Sequence, residues 1–224
     1  MSGIKENLEK IREEIKNGNN LGEEITFVGA TKFVDADRIN EAIAAGLTHI
    51  GENRAQEFRD KFPLYLPCVK HFIGTLQPNK LKYVVGKADV IDSVSSLSLA
   101  ERISAAAEKL GVVQKIMVEI NAGGEESKSG AGFSDAEKIC DFALFKKSLS
   151  LVGVMGMLPE SDDEGLLADL TEKLRAFYDK TKTFAPQMKY LSVGMSSDYK
   201  TAIKHGSNMI RLGTALFGAR ERNI

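Results

Sequence analysis

Apolar positions along this chain fall into two alternating patterns. Ile4, Leu8, Ile11 and Ile15 recur at helical spacing, which predicts a first helix over Ile4 to Lys16, stopped by Asn17-Gly18. Ile25 to Lys32, reading Ile-Thr-Phe-Val-Gly-Ala-Thr-Lys, is a short apolar run of the kind that marks a strand covered on both faces. It ends on a lysine. Asp35 to Ala45 is amphipathic through Ile39, Ala42 and Ile43, with Gly46 as its C-cap. The same unit then repeats. Strands are predicted at Thr48 to Gly51, Val69 to Gly74, Val90 to Val94, Val112 to Ile120, Leu151 to Leu158, Tyr190 to Val193 and Met209 to Leu212. Helical patterns separate them: a polar one to Lys61, one ending at Gly86, and Ser98 to Leu110 with Leu99, Ile103, Ala106 and Leu110 on one stripe. Further on come Ala136 to Leu144, a long one through Leu166, Leu170, Leu174 and Phe177, and a short one over Tyr199 to Lys204. Asn121 to Gly132 is a Gly/Ser-rich loop.

Strand and helix in strict alternation imply parallel pairing with right-handed crossovers. About eight such units in 224 residues, with no linker or composition shift, predict one α/β domain over residues 1–224. The expected architecture is a single closed (β/α)8 TIM barrel carrying an extra N-terminal helix. No GxGxxG follows the first strand, which weighs against an open dinucleotide-binding sheet.

Composition narrows the function classes. A net charge of -1 gives no support for general nucleic-acid or anionic-membrane binding. No apolar run approaches a membrane span, and no basic start leads into an apolar segment. Cys68 and Cys140 are far apart, with no metal-type spacing; Cys140 sits on an apolar helical face and reads as a buried thiol. The chain reads as soluble and cytoplasmic, with no metal site.

A barrel of this kind gathers its chemistry at the C-terminal ends of the strands. That rule collects Lys32 at the end of the first strand, Asn53 after the second, and His71 within the third. Lys128 falls in the loop after the fifth, Ser196 and Ser197 after the seventh, and Gly213-Thr214 after Arg211 on the eighth. Gly194-Met195-Ser196-Ser197 and Gly213-Thr214 offer small residues, hydroxyls and backbone N–H groups where barrels recurrently bind phosphate. A lysine facing a phosphate site suggests pyridoxal phosphate held as a Schiff base, the amine adding as its free base. Arg211 is placed to meet the ring nitrogen. An arginine there keeps the nitrogen unprotonated, which makes the ring a poor electron sink and disfavours transaminase-like chemistry. The competing reading of Arg211 is an ordinary ion pair with a carboxylate at the mouth, and that of His71 a hydrogen-bonded histidine inside the barrel.

At these residues a resemblance becomes specific. Ala30-Thr31-Lys32, Gly51-Glu52-Asn53, His71-Phe72-Ile73-Gly74-Thr75-Leu76-Gln77-Pro78-Asn79-Lys80, Glu126-Ser127-Lys128-Ser129-Gly130, Ser192-Val193-Gly194-Met195-Ser196 and Arg211-Leu212-Gly213-Thr214-Ala215-Leu216-Phe217-Gly218 resemble one family across almost the whole chain. It is the YggS-type, or PROSC-like, pyridoxal phosphate homeostasis proteins. The resemblance implies a barrel like the N-terminal domain of alanine racemase, with the cofactor on Lys32. By the same likeness Ser196, Gly213 and Thr214 hold the phosphate, Arg211 meets the ring nitrogen, Asn53 and Lys128 border the ring, and Met195 belongs to the cofactor-binding set. It assigns His71 no role.

Alanine racemase carries a second, β-rich domain with a catalytic tyrosine, and this sequence has no counterpart of it. Two-base racemisation needs a proton acceptor on each face of the substrate. The expectation is therefore a monomeric carrier that sequesters pyridoxal phosphate and delivers it to apo enzymes that use it, without turnover. Two enzyme readings compete: an amino-acid racemase with an unrecognised second base, and an aldolase in which Lys32 attacks a sugar phosphate directly.

Overall fold

The computed structural model describes residues 3–125 and 129–218. In chain order the elements are α1 (Ile4–Ile15), β1 (Thr26–Ala30), α2 (Ala36–Ala44), β2 (His49–Glu52), α3 (Ala55–Lys61), β3 (Val69–Phe72), α4 (Leu81–Val84), β4 (Val90–Val94) and α5 (Leu97–Leu110). They continue with β5 (Gln114–Asn121), α6 (Phe133–Phe145), β6 (Leu149–Met157), α7 (Glu164–Lys182), β7 (Tyr190–Ser192), α8 (Tyr199–Lys204), β8 (Met209–Leu212) and α9 (Thr214–Phe217). The eight strands form one closed parallel barrel in sequence order, and β8 pairs β1 with Thr26 opposite Met209 and Val28 opposite Arg211. This is the barrel that the alternating pattern predicts.

Alternation along each strand splits the core. Val28, Val90, Met117, Val152, Met155 and Met209 fill the barrel interior, while their neighbours in sequence face the helices. On the outside, α1 lays Ile4, Leu8, Ile11 and Ile15 against the cluster that holds Phe27, Ile210, Leu212 and Leu216. Each such buried aliphatic side chain contributes roughly 1.5–3 kcal/mol. The extra helix thus covers the seam where the first and last strands meet.

Several predicted boundaries shift for identifiable reasons. The first strand stops at Ala30, and Lys32 lies in the turn after it. There Val34 N–H closes a turn onto the Thr31 carbonyl at 3.0 Å, and Phe33 adopts a left-handed φ of 64°. The helix expected up to Gly86 is a 3-10 turn at Pro78–Lys80 followed by the single turn of α4. After β5 the chain returns onto its own strand: Ala131 N–H donates to the Glu119 carbonyl at 2.8 Å and Asn121 N–H to the Ala131 carbonyl at 3.0 Å. The segment expected to be loop from Asn121 therefore extends the sheet at both of its ends.

Candidate functional site

The turn that carries Lys32 is fastened from below. Thr31 donates its N–H to the Gly51 carbonyl at 2.9 Å, and its hydroxyl reaches the same carbonyl and Glu52 Oε2, both at 3.1 Å. Glu52, at the end of β2, is fully buried. Its Oε1 accepts the Asn53 N–H at 2.8 Å, and Oε2 also meets Lys61 Nζ at 3.3 Å. Burial pushes the Glu52 carboxyl above the usual carboxylate range, opposed by the Lys61 ammonium. One carboxylate therefore ties together the residue before Lys32, the backbone of Asn53 and the first helix past β2. Phe33 N–H donates to Glu57 Oε2 at 3.2 Å, which holds a bulky residue in a backbone region that costs about 1 kcal/mol.

Lys32 is half-buried, and its Nζ lies 5.1 Å from the centroid of the Phe33 ring. Among the described residues no carboxylate lies within salt-bridge distance of it. Beside it, Asn53 is half-buried at the C-terminal end of β2, and its backbone carbonyl leaves no space at Gly74. A Cβ on Gly74 would sit 1.9 Å from that oxygen, which explains the glycine in His71-Phe72-Ile73-Gly74.

Two loops across the mouth have the composition of an anion site. Gly194 has φ +109°, and a Cβ there would stand 2.8 Å from Tyr199 Cα, so glycine is required where the chain bends after β7. Asp198 accepts the Met195 N–H, and that bond shapes the bend. Met195, Ser196 and Ser197 are exposed, and the Ser196 and Ser197 hydroxyls bond no other group among the described residues. After β8, Gly213 is half-buried and Thr214 exposed at the start of α9. The two loops are neighbours because β7 and β8 pair, with Arg211 N–H donating to the Gly194 carbonyl at 3.0 Å.

Arg211 alternates with the interior residue Met209 and points into the barrel, 5% exposed. Its Nη1 donates to the carbonyl and the hydroxyl of Ser192, both at 2.7 Å, and its Nη2 to the Gly156 carbonyl at 3.2 Å and Met157 Sδ at 3.6 Å. No carboxylate approaches within 4 Å among the described residues, so the ion-pair reading of this arginine does not hold. Burial draws its affinity for a proton down, and the charges of Asp92, Glu119 and Asp198 oppose this. It remains a cation, as arginines in proteins do. Its Nε–H is absent from that set of bonds.

Deeper in the barrel is a polar line of which the sequence had picked out only His71. His71 is fully buried and bonds Asp92 through Nδ1 at 2.9 and 3.1 Å, and its Nε2 lies 3.0 Å from His49 Nδ1. The Tyr190 ring stands edge-on to both imidazoles, with centroids 6.4 Å away. Desolvation, then the neighbouring His71, holds the His49 imidazole down at about 4. His71 is thus a hydrogen-bonded interior histidine. Glu119, also inside, accepts a bond from the Ser129 hydroxyl through Oε1 while Oε2 has no partner among the described residues.

The structure therefore assembles Lys32, Asn53, Met195, Ser196, Arg211, Gly213 and Thr214 around one end of the barrel, and sets His71 below them. Lys128 lies outside the described residues. Sequence reasoning missed Ser192, Glu119, Glu52, and the pair Asp92 and His49. The available signal was a charged or polar residue inside an apolar strand, as in Val90-Ile91-Asp92 and Val118-Glu119-Ile120. Among the described residues no group of His, Cys, Asp or Glu is arranged to hold a metal ion, and no helix is long and apolar enough to cross a membrane.

The family model for the alanine racemase N-terminal domain matches residues 1–221. A pyridoxal phosphate homeostasis protein of Aquifex aeolicus is 34% identical, covering 99% of this chain and 97% of its own. The protein of the same name from Schizosaccharomyces pombe is 33% identical over 98% of this chain and 94% of its own. The chain belongs to the pyridoxal phosphate homeostasis protein family. Within that family's fold, PipY of Synechococcus elongatus, solved with pyridoxal phosphate bound, superposes with a TM-score of 0.84 at 30% identity, covering 96% of this chain and 100% of PipY. Alanine racemase of Clostridium difficile shares the fold alone: TM-score 0.77 at 16% identity, with this chain matching 58% of its length. Family membership agrees with the resemblance drawn from the motifs.

Proposed function

We propose that this protein binds pyridoxal 5'-phosphate as a Schiff base on Lys32 and acts in pyridoxal phosphate homeostasis, holding the cofactor and delivering it without turnover. The observation that carries the reading is the placement of a lysine free of carboxylate partners, a buried arginine and two hydroxyl-bearing loops around one barrel mouth. When bound, the cofactor supplies an aldehyde to which an amine adds. Ser196 and Thr214, with the backbone at Gly213, suit a phosphate dianion in size and donor chemistry. Arg211, pinned through Nη1 and Nη2, keeps Nε–H for a ring acceptor and holds that acceptor unprotonated. Asn53 borders the ring.

Carriage fits better than racemisation because the five tyrosines are engaged elsewhere. Tyr65 packs against the outer cluster with its hydroxyl buried and unbonded among the described residues, Tyr178 bonds the Met188 carbonyl, Tyr83 lies beside Arg59, Tyr190 stands edge-on to the interior histidines, and Tyr199 bonds Glu14. None supplies a second base opposite Lys32. The protein acts as a monomer in the cytoplasm, with apo enzymes that use the cofactor as recipients.

The test is direct. The purified protein should be yellow, and borohydride reduction followed by peptide mapping should place the cofactor on Lys32. A colourless protein that takes up no added pyridoxal phosphate would overturn the proposal. Rapid α-proton exchange of amino acids in heavy water, abolished by Lys32→Ala, would convert it from carrier to enzyme.

A further inference from the structure

Glu119 presents a buried group that neither the fold nor the site described so far uses. It lies two residues beyond Met117, which is part of the apolar barrel interior, so alternation points Glu119 inward and toward the C-terminal end of β5. The residue is 2% exposed. Ser129, brought over β5 by the bonds of Ala131 and Asn121, satisfies Oε1. Oε2 is buried with no hydrogen-bond partner among the described residues. Leaving such an oxygen unmet destabilises a fold unless something else satisfies it. A carboxyl kept at that cost, in the same interior as the Arg211 guanidinium, is a group prepared for a ligand.

The ligand's own chemistry identifies which atom it would meet. Pyridoxal phosphate has four polar exits: the phosphate arm, the ring nitrogen, the aldehyde and the phenolic oxygen. The first three correspond to the loops after β7 and β8, Arg211 and Lys32. Phosphate arm and phenol leave the ring on opposite sides of the aldehyde carbon. With the phosphate at β7 and β8, the phenol edge turns away from those strands, and β5 stands across the barrel from β1, the strand that leads to Lys32.

We infer that Glu119 is a further cofactor-facing residue whose unpartnered Oε2 hydrogen-bonds the phenolic oxygen of bound pyridoxal phosphate. This rests on the reading of the mouth as the site of that cofactor. Burial raises the proton affinity of the Glu119 carboxyl, and the Ser129 bond and the Arg211 charge oppose it. The protonated form donates to a phenolate; the ionised form repels it.

The experiment compares wild type, Glu119→Ala and Glu119→Gln, each titrated with pyridoxal phosphate and with the analogue methylated at the phenolic oxygen. Direct absorbance gives both affinity and the visible band. Expected are a roughly tenfold weaker affinity and a shifted band for Glu119→Ala, and affinity within about threefold of wild type for Glu119→Gln, whose amide still donates. The methylated analogue should bind wild type more weakly than the parent and bind Glu119→Ala no differently from it. Equal affinity and an unmoved band in Glu119→Ala would overturn the inference. Should that variant not fold, Glu119→Gln decides. Its visible band should lose a pH transition that wild type shows, and an identical titration would overturn the inference. Failure of wild type to take up pyridoxal phosphate at all would sink the reading of the mouth instead, so the two failures are distinguishable.

Discussion

Ser192 holds the Arg211 guanidinium twice, through its carbonyl and its hydroxyl, each 2.7 Å from Nη1. The pair joins β7 to β8 inside the barrel and fixes the direction of a buried cation that has no carboxylate in contact among the described residues. Ser192→Ala keeps the carbonyl bond and loses the other. It should destabilise the fold by about 1–3 kcal/mol in urea denaturation and shift the visible band of the loaded protein. An unchanged band would mean that the Arg211 orientation does not reach the ring. Arg211→Gln is a cleaner probe of the ring nitrogen than Arg211→Glu, which would add a third acid near Asp92 and Glu119.

Lys32 makes no ion pair among the described residues, and its one described contact is with the Phe33 ring. Lys32→Ala should therefore leave the melting temperature almost unchanged, with a stability effect within about 0.5 kcal/mol. The same variant should take up no borohydride-fixed cofactor. A large loss of stability would show that the amine has a structural partner.

Glu52 supports the turn that carries that amine. Glu52→Ala removes the acceptor for Thr31, Asn53 and Lys61 together. The expected cost is about 1–3 kcal/mol, because the Asn53 N–H and the Thr31 hydroxyl lose an acceptor while Lys61 keeps Glu57 at 2.7 Å. Thr31→Val isolates the hydroxyl and should cost about 1 kcal/mol, with slower cofactor fixation on Lys32. A rate equal to wild type in Thr31→Val would separate the turn from the amine's placement.

The interior histidines predict an acid dependence. His49 titrates at about 4 in the folded chain against an ordinary 6.5. The unfolded chain thus binds its proton first. Stability is fully present above pH 6.5 and falls as the pH drops from there toward 4. The loss is at most about 3 kcal/mol and is reduced by solvent screening at this half-buried ring. Urea denaturation at pH 7.5 and 5 should show it, and His49→Gln should flatten the slope. An equal slope in the variant would place the effect on other groups.

Much of this was legible before any coordinates. Short apolar runs alternating with period-3.6 patterns pointed to the barrel, and β4, α8 and β8 fall on their predicted spans. The mouth residues were found because strand ends place them there. The interior line was not, for a physical reason. Strands buried on both faces read as continuous apolar runs, so the pattern does not say whether Asp92 or Glu119 faces the barrel axis or the helices. The register shift between Ile91 and Val94 blurs that further. Glu52 was hidden in a motif matched by likeness, where its task of fastening Thr31 depends on a neighbouring strand.

The join between β1 and β8 sets an order of assembly. Thr26 and Phe27 pair with Met209 and Ile210, partners separated by most of the chain. Closing so long a loop is the slow, late step of folding. Lys32 leaves the ribosome early, yet its companion Arg211 arrives only when nearly all of the chain has been made. A nascent chain therefore carries Lys32 before the mouth exists, and on the proposed reading capture of an aldehyde has to wait until β8 closes the barrel.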